Sequence, residues 1–291
     1  MPTFLDDLPP IPPRPAESHK GTFGKVLIVA GSRGMSGAAA LSGLGALRGG
    51  AGLVEVATPA SIQPLIAGFE PSWLSLPLPE DADGRLDRAA FPVIEKRWDS
   101  VSAVAIGPGW SVTDRTRRLA RLIVEQCPRP MVIDADGLTA LVDQADAWKK
   151  SPAPRVVTPH PGEFARMRRV DTKSIQADRV GHATAFAKEH GVMVVLKGHA
   201  SVVTDGERVV INSTGNPGLA TGGTGDVLTG LIGALLAQQM PPFDAARLAV
   251  YLHGLAGDLA AAELSQPALI ASDLPRFLGK AWLKLQELRT R

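Results

Sequence analysis

The chain of 291 residues has a single cysteine, few aromatic side chains and almost no net charge. With Cys127 alone, no disulfide can form within the chain and no Cys-x-x-Cys pair can bind a metal, which is consistent with a reducing cytosol. An aromatic content of 5% argues against a stacking surface for single-stranded nucleic acid. The formal net charge of +2 is too small to indicate nucleic acid or an anionic membrane as a partner.

Long hydrophobic runs are also missing, since no apolar stretch approaches the roughly 20 residues that a membrane span requires. The N-terminus lacks the basic and then apolar order of a signal peptide. We therefore expect a cytoplasmic protein without a membrane partner. The hydrophobic content of 45% is ample for a sizeable core, and no internal repeat is present.

Proline is concentrated at the start of the chain. Residues 1–18 contain Pro2, Pro9, Pro10, Pro12, Pro13 and Pro15. Such a segment cannot hold a helix, and we expect an extended arm that lies on the domain or on a neighbouring subunit. Residues 19–291 are predicted to form a single domain.

Short apolar runs alternate with longer helical patterns through this domain. The short runs predict strands at 25–30, 53–57, 73–78, 103–106, 131–134, 155–158, 192–197, 201–204 and 208–212. The longer patterns predict helices at 38–48, 87–98, 113–125, 173–190, 226–238, 243–263 and 273–288. Asp205-Gly206 between the last two strands is a strong hairpin signal. The alternation predicts an α/β fold whose mostly parallel sheet is covered by helices on both faces, with ligands bound at the edge where the strands end.

A polar, glycine-dense loop at 212–225 leads into an apolar helix. Gly222, Gly223 and Gly225 leave backbone amides uncovered, and bare amides at a helix N-terminus suit phosphate. The loop is not a Walker motif, because no Gly-Lys-Ser/Thr follows it. Asp226 would repel a phosphate bound against it, which makes sense if this carboxylate handles a proton while phosphate arrives. The alternative is an ordinary N-cap.

Other strands also finish in small or polar residues, as expected of a ligand site. Gly107 and Gly109 would let a flat ligand approach the backbone, although a tight turn explains them nearly as well. Asp134 and Asp136 follow the next strand, where they could reach a ligand or a metal, or where Asp136 could cap a helix.

The turn Thr158-Pro159-His160-Pro161-Gly162-Glu163 favours a functional role for its histidine and carboxylate, because prolines reduce the entropy cost of fixing them. Lys197 ends an apolar strand at the same edge, where it could meet phosphate as a point charge or lie in solvent as a surface lysine. The other histidines have no partner at metal-ligand spacing, so zinc is not expected. They are His19, His182, His190, His199 and His253.

Taken together, these segments resemble the ADP/ATP-dependent NAD(P)H-hydrate dehydratases of the ribokinase-like superfamily. The resemblance covers roughly residues 15–285, and the Thr-Pro-His-Pro-Gly-Glu and Gly-Gly-Thr-Gly-Asp elements together are specific to it. The matching segments are Gly31-Ser32, Gly107-Pro108-Gly109, Asp134-Ala135-Asp136, Thr158 to Glu163, Leu196-Lys197-Gly198 and Gly222 to Asp226. The 18 or so residues before the first core motif leave no room for the epimerase domain of bifunctional members. We therefore expect a stand-alone bacterial type that cooperates with a separate epimerase, and a homo-oligomer such as a tetramer.

The resemblance implies a lyase that repairs hydrated NADH or NADPH, with ADP as the phosphoryl donor and Mg²⁺ as cofactor. Carried over by motif, the residues expected to contact the hydrate are Ala38, Gly109, His160 and Asp226. The residues expected to bind the nucleotide are Lys197, Gly198, His199, Ala200, Ser201 and Gly225. The expected anion hole comprises Gly222, Gly223, Thr224 and Gly225. Glu163 is expected to reach the metal through water.

In the implied reaction, Asp226 takes the proton of the C6 hydroxyl as the phosphoryl group is transferred. An aspartate at a helix N-terminus should be a weak base, because the helix dipole favours its charged form. Two rival functions remain open. One is a ribokinase-like kinase for a vitamin or sugar hydroxyl, which would use the same Asp226 and glycine loop. The other is a non-catalytic nucleotide-binding module.

Overall fold

A ten-stranded sheet forms the centre of the computed structural model, which describes residues 2–289 apart from the side chain of Ala145. The strand order is β1-β10-β9-β8-β7-β6-β5-β2-β3-β4, and all neighbours are parallel except β8 with β9 and β9 with β10. The strands are β1 (Thr3–Phe4), β2 (Lys25–Val29), β3 (Leu53–Pro59), β4 (Leu74–Leu78), β5 (Ala103–Ile106), β6 (Met131–Ile133), β7 (Arg155–Val157), β8 (Met193–Leu196), β9 (Val202–Thr204) and β10 (Arg208–Ile211).

Helices cover both faces of this sheet, so the central strands are apolar on both sides. The helices are α1 (Ser36–Arg48), α2 (Gln63–Phe69), α3 (Phe91–Glu95), α4 (Asp114–Gln126), α5 (Ala135–Ala140), α6 (Ala145–Lys149), α7 (Pro161–Arg168), α8 (Thr172–Ala177), α9 (Arg179–His190), α10 (Thr224–Ala237), α11 (Pro242–Leu264) and α12 (Leu274–Arg289). In β2, Val26 and Ile28 pack with α1, α10, α11 and α12. Leu27 and Val29 point to the other face and pack with α4, α5, α7 and α9.

Two glycine-rich helices, α1 and α10, pack unusually close together. A Cβ on Gly45 of α1 would lie 2.2 Å from the carbonyl oxygen of Val227, and a Cβ on Gly230 of α10 would lie 1.8 Å from that of Ser42. Only glycine allows backbones to approach so closely. This contact holds α10 in the middle of its layer and leaves its N-terminus at the edge where the parallel strands end.

The proline-rich arm lies on its own domain. Thr3 and Phe4 pair with β10, and the guanidinium of Arg247 in α11 donates to both the backbone and the side chain of Asp7. Leu5, Leu8 and Ile11 pack against the core. The division of the chain at residue 18 stays a prediction.

The predicted strands are confirmed to within two residues at each end, and so is the hairpin, where Gly206 has a φ of 96°. Two predicted helices are wrong in extent. The stretch 173–190 is two helices, because Asp178 leaves helical geometry and its carboxylate caps α9. The stretch 87–98 is helical only over α3, between two short 3₁₀ turns. The short helices α2, α5, α6 and α7 contain too few turns for periodicity to reveal them. No helix among residues 2–289 is long and apolar enough to cross a bilayer.

Candidate active site

The glycine loop becomes the first turn of α10. Gly223 is the N-cap of this helix and has a φ of 94°, so the left-handed conformation of the loop falls on Gly223, while Gly225 is helical. A Cβ on Gly223 would lie 2.5 Å from Leu41 of α1, which shows how closely the loop approaches that helix. The first amides of a helix have no acceptor within the helix, which makes this turn suitable for a phosphate.

Asp226 is the third residue of α10, and the N-cap alternative is therefore wrong. Burial raises the pKa of its carboxyl to about 7, and the negative charges of Asp134, Asp136 and Glu163 add to this, while Lys197 opposes them. The expectation of a weak base is also wrong, because burial and neighbouring carboxylates outweigh the helix dipole. A half-buried aspartate that titrates near neutral pH can accept a proton in a reaction.

Lys197 follows β8 and lies beside this turn. Its Nζ is 2.7 Å from Oδ1 of the buried Asp134, and only 20% of its side chain is exposed, so the solvated surface lysine is excluded. Burial alone would lower the pKa of Lys197, but the charges of Asp134 and Glu163 raise it above its ordinary value. A Cβ on Gly225 would lie 3.2 Å from Nζ, which puts the ammonium directly against the first turn of α10.

His160 and Glu163 form a reciprocal cap at the start of α7. Nδ1 of His160 accepts from the amides of Gly162 and Glu163 at 3.0 and 3.3 Å, and Oε2 of Glu163 accepts from the amide of His160 at 2.8 Å. The ring proton of a neutral His160 therefore sits on Nε2, which lies 3.6 Å from Oε1 of Glu163. The turn thus has a structural role, and about half of the His160 side chain remains exposed for a ligand.

Gly109 and Ala38 meet at the start of α1. A Cβ on Gly109 would lie 2.9 Å from that of Ala38 and 3.0 Å from the carbonyl oxygen of Met35. Gly107 serves packing instead, because its Cβ would lie 2.0 Å from the carbonyl oxygen of Asp134. The tight-turn alternative therefore holds for Gly107. Gly109 is buried and has a left-handed φ of 67°, so the turn requires this glycine too, and it borders the exposed side chain of Met35.

Asp136 lies in the first turn of α5 but does not cap it. Its Oδ2 accepts from the amide of Ser111 at 2.9 Å, and Ser111 has a left-handed φ of 60°. The alternative of a helix cap at Asp136 is therefore wrong, because this carboxylate instead binds the loop that follows β5. Within the described chain, no group of three or more His, Cys, Asp or Glu side chains is arranged to hold a metal by itself.

The loop 197–201 is held by contacts within itself and by Arg179 of α9. The hydroxyl of Ser201 donates to the carbonyl of Gly198 at 3.0 Å and accepts from its amide at 3.2 Å. Nη2 of Arg179 donates to the carbonyls of Leu196 and Lys197 at 2.9 and 3.3 Å. Gly198 and Ala200 have positive φ values, so the loop is a specific turn.

Three residues at this site, His253, Thr229 and Arg179, were missed from the sequence. Nε2 of His253 in α11 donates to the carbonyl of Thr224 at 2.9 Å, and burial lowers the pKa of this imidazole to about 4, so it is neutral. Oγ1 of Thr229 lies 2.8 Å from Oδ2 of Asp134. Each of the three hydrogen-bonds a residue that is distant in sequence, so the residues that flank it in the chain do not reveal its place in the site.

The predicted site residues thus fall into two adjoining groups. One group surrounds the first turn of α10 with Asp226, Lys197 and the loop that follows β8. The other joins Gly109 to Ala38 and approaches the first group where Leu41 meets Gly223. Their predicted contacts with ligands stay predictions.

Comparison with known proteins gives a consistent result. A profile of the NAD(P)H-hydrate dehydratase family matches residues 26–278. A bifunctional NAD(P)H-hydrate repair enzyme from Moorella thermoacetica is 42% identical over 279 residues, which are 95% of this chain and 52% of the relative. The chain thus spans about half the length of that relative.

Two comparisons involve Bacillus subtilis and cover both partners almost completely. The ADP-dependent (S)-NAD(P)H-hydrate dehydratase of this organism is 37% identical over 282 residues, 95% of either chain. A crystal structure of the ADP/ATP-dependent NAD(P)H-hydrate dehydratase of B. subtilis, co-crystallised with ATP and Mg²⁺, superposes with a TM-score of 0.82 at 36% identity and covers 94% of each chain. The ribokinase-like α/β fold is thereby confirmed, and the chain belongs to the NAD(P)H-hydrate dehydratase family.

Proposed function

We propose that this protein is an ADP-dependent (S)-NAD(P)H-hydrate dehydratase, which converts hydrated NADH or NADPH and ADP to NAD(P)H, AMP and phosphate. The observation that carries the proposal is the half-buried Asp226, with a pKa of about 7, in the helix turn that also faces the Lys197 ammonium. A base and a phosphate site within one turn suit phosphoryl transfer to a hydroxyl. The family match supports the same reaction.

The chemistry follows from these two features. The C6 hydroxyl of the hydrate is a poor leaving group, and phosphorylation makes it a good one. Asp226 accepts the hydroxyl proton as the oxygen attacks the β-phosphorus of ADP and AMP leaves. The ring nitrogen then supplies the electron pair that expels phosphate, and loss of a ring proton restores the dihydronicotinamide.

The anion hole of Gly222, Gly223, Thr224 and Gly225 would stabilise charge on the transferred group through the amides of the first turn. Lys197 adds a positive charge there. The nucleotide would lie along the loop Lys197, Gly198, His199, Ala200 and Ser201, with Gly225 at its phosphates. The hydrate would lie over Gly109 and Ala38, where Nε2–H of His160 can donate to it.

Magnesium suits the carboxylates at this site. Mg²⁺ is usually held by one or two carboxylates together with substrate phosphates and water. Glu163 and Asp136 each use one carboxylate oxygen to accept from a backbone amide, and the charges of both raise the pKa of Asp226. We propose that Glu163 holds the ion through water, where it would neutralise phosphate charge.

The proposal extends to the setting of the reaction. We propose that an epimerase supplies the S form of the hydrate, in keeping with the bifunctional repair enzymes among the relatives. A cytoplasmic location and a homo-oligomer such as a tetramer also stay predictions.

An assay of the products tests the function. With Mg²⁺, ADP and the S form of hydrated NADH, the protein should restore the near-ultraviolet absorbance of the dihydronicotinamide ring and release AMP and phosphate in equal amounts. A ribokinase-like kinase would leave the phosphoryl group on a stable organic product without restoring this absorbance. Recovery of such a product, or nucleotide binding without any turnover, would contradict the proposal.

A further inference from the structure

Asp134 is a carboxylate on which three elements of the site converge. It follows β6, and it is 1% exposed. Although it occupies the N-cap position of α5, its oxygens contact other elements. Oδ1 lies 2.7 Å from Nζ of Lys197 at the end of β8, and Oδ2 lies 2.8 Å from Oγ1 of Thr229 in α10. One buried group therefore joins two strand ends to the helix that carries Asp226.

The contact with Thr229 reaches the turn of Asp226 itself. Oγ1 of Thr229 is also 3.0 Å from the carbonyl oxygen of Gly225, so its single proton is shared between two acceptors. A Cβ on Gly225 would lie 3.2 Å from Nζ of Lys197 and 3.5 Å from Oδ2 of Asp134. The Asp134–Lys197 ion pair is thus packed directly against the first turn of α10.

We propose that Asp134 is a positioning residue, which holds the Lys197 ammonium against the first turn of α10 and fastens that turn through Thr229. A lysine carries its charge on a flexible four-carbon stem, which a buried ion pair can fix in place. The inference rests on the proposed function, because it assumes that nucleotide phosphate binds at this turn. Asp134 would act through Lys197 and would not touch the reacting atoms.

The charge of Asp134 also acts on Asp226. The groups that face Asp226 from the surrounding elements are Asp134 after β6, Lys197 after β8, Asp136 in α5, Glu163 in α7 and the neutral His253 of α11 on the carbonyl of Thr224. Asp134 is the first of the charged neighbours that raise the pKa of Asp226. Loss of this charge alone should therefore lower that pKa.

Two variants separate these effects. Asp134→Asn keeps both contacts, because its amide oxygen can accept from Lys197 while its amide nitrogen donates to Thr229, whose proton then goes to Gly225. Asp134→Ala removes both contacts. In Asp134→Ala we expect a roughly 10- to 100-fold loss of affinity for ADP in the presence of Mg²⁺, since a misplaced group of this kind costs on that order. In Asp134→Asn we expect ADP affinity to change by less than about threefold, and the acid limb of kcat/KM to move to lower pH.

A double-mutant cycle with Lys197→Met gives the decisive measurement, by titration calorimetry with ADP and MgCl₂. If Asp134 acts mainly through Lys197, Asp134→Ala should add only a small further loss of affinity in the Lys197→Met background, namely the part that depends on Thr229. An equal loss in both backgrounds would overturn the inference. A raised Mg²⁺ requirement in both backgrounds would overturn it as well, by assigning Asp134 to the metal instead.

Thermal unfolding of each variant separates positioning from a structural role. Thr229→Val removes one contact of Asp134 without changing charge, and we expect it to leave the acid limb in place. If Asp134→Ala does not fold, Thr229→Val decides, because it removes one of the two contacts of Asp134. A lower affinity for ADP in Thr229→Val supports the inference, and an unchanged affinity would overturn it. The two proposals can fail separately. If the wild type binds ADP and the variants give the expected cycle, but the wild type does not dehydrate hydrated NADH, the proposed function is overturned and this inference stands.

Discussion

Arg155 is buried and Asp226 is half-buried, and these two ionisable residues lie at opposite edges of the sheet in different surroundings. Arg155 begins β7, at the edge away from the glycine loop, and is 1% exposed. Its Nη1 donates to the carbonyls of Arg129 and Pro154, and Nη2 donates to those of Val124 and Cys127 at the end of α4. Burial lowers the pKa of Arg155 to about 10, so it remains a cation at neutral pH. Its positive charge stabilises the fold by binding the carbonyls at the C-terminus of α4.

Asp226 has carboxylates as its near neighbours, and Lys197 is already paired with one of them. Its raised pKa records an environment that penalises the charged form. Arg155 is surrounded by hydrogen-bond acceptors, as expected of a structural residue. Asp226 lies among charges of its own sign, as expected of a reactive one. The following predictions test this distinction.

The largest expected effect is on Asp226. Asp226→Asn should lower kcat by about 10²- to 10⁴-fold, the usual contribution of a general base. Because the folded pKa lies above the unfolded one, the stability that Asp226 contributes is fully present below the unfolded pKa and is lost as the pH rises through the folded pKa of about 7. Asp226→Asn should therefore raise the free energy of unfolding at pH 8, by roughly 1–3 kcal/mol, and have less effect at pH 4. Steady-state kinetics and urea unfolding check the two parts, and normal turnover would exclude Asp226 as the base.

Arg155 should show the reverse pattern. Arg155→Met removes the guanidinium from four carbonyls, of which, in the described part of the chain, only that of Pro154 keeps a backbone amide donor, from Met131. The variant should lower the free energy of unfolding by about 2–4 kcal/mol. The kcat of the folded fraction, measured well below the unfolding temperature, should stay near that of the wild type. A loss of kcat without a loss of stability would contradict a purely structural role.

Two glycines of α10 extend the comparison along one helix. Gly225→Val should weaken ADP binding by about tenfold or more with near-normal unfolding, because the side chain would cover the phosphate-binding amides and press on Lys197. The matched Gly230→Val should destabilise the fold by roughly 1–3 kcal/mol or more, because its Cβ would overlap the backbone of α1. Calorimetry and thermal unfolding of both variants test the contrast, which fails if Gly225→Val unfolds outright.

The smallest effect is a shift in pH dependence. With Asp226 as the base, kcat/KM should fall about tenfold per pH unit below pH 7 in the free enzyme, whereas an ordinary aspartate would keep full activity to about pH 4. Asp136→Asn removes one neighbouring negative charge and should move this limb to lower pH. A limb that stays in place would show that Asp136 does not act on Asp226.

The sequence predicted the sheet well because its buried parallel strands are short apolar runs that end in glycine, proline or polar residues. It failed at the short helices, and it predicted one helix over 173–190 where the chain forms two, because the Asp178 side chain caps α9 there. It left a helix cap open as the alternative for Asp226 and Asp136, because an acid at a helix start is often a cap. In the structure, Gly223 caps α10 and Asp136 binds the amide of Ser111.

By itself the sequence determined where the strands end, and hence that the glycine loop, His160, Lys197 and Asp226 share one edge of the sheet. The hydrophobic periodicity of local segments is enough for that. Tertiary structure alone decided that Lys197 pairs with Asp134, 63 residues away, that Thr229 joins Asp134 across 95 residues, and that His253 reaches Thr224. It also decided the pKa of Asp226, because burial and Coulomb interactions depend on distances between residues that only folding brings together.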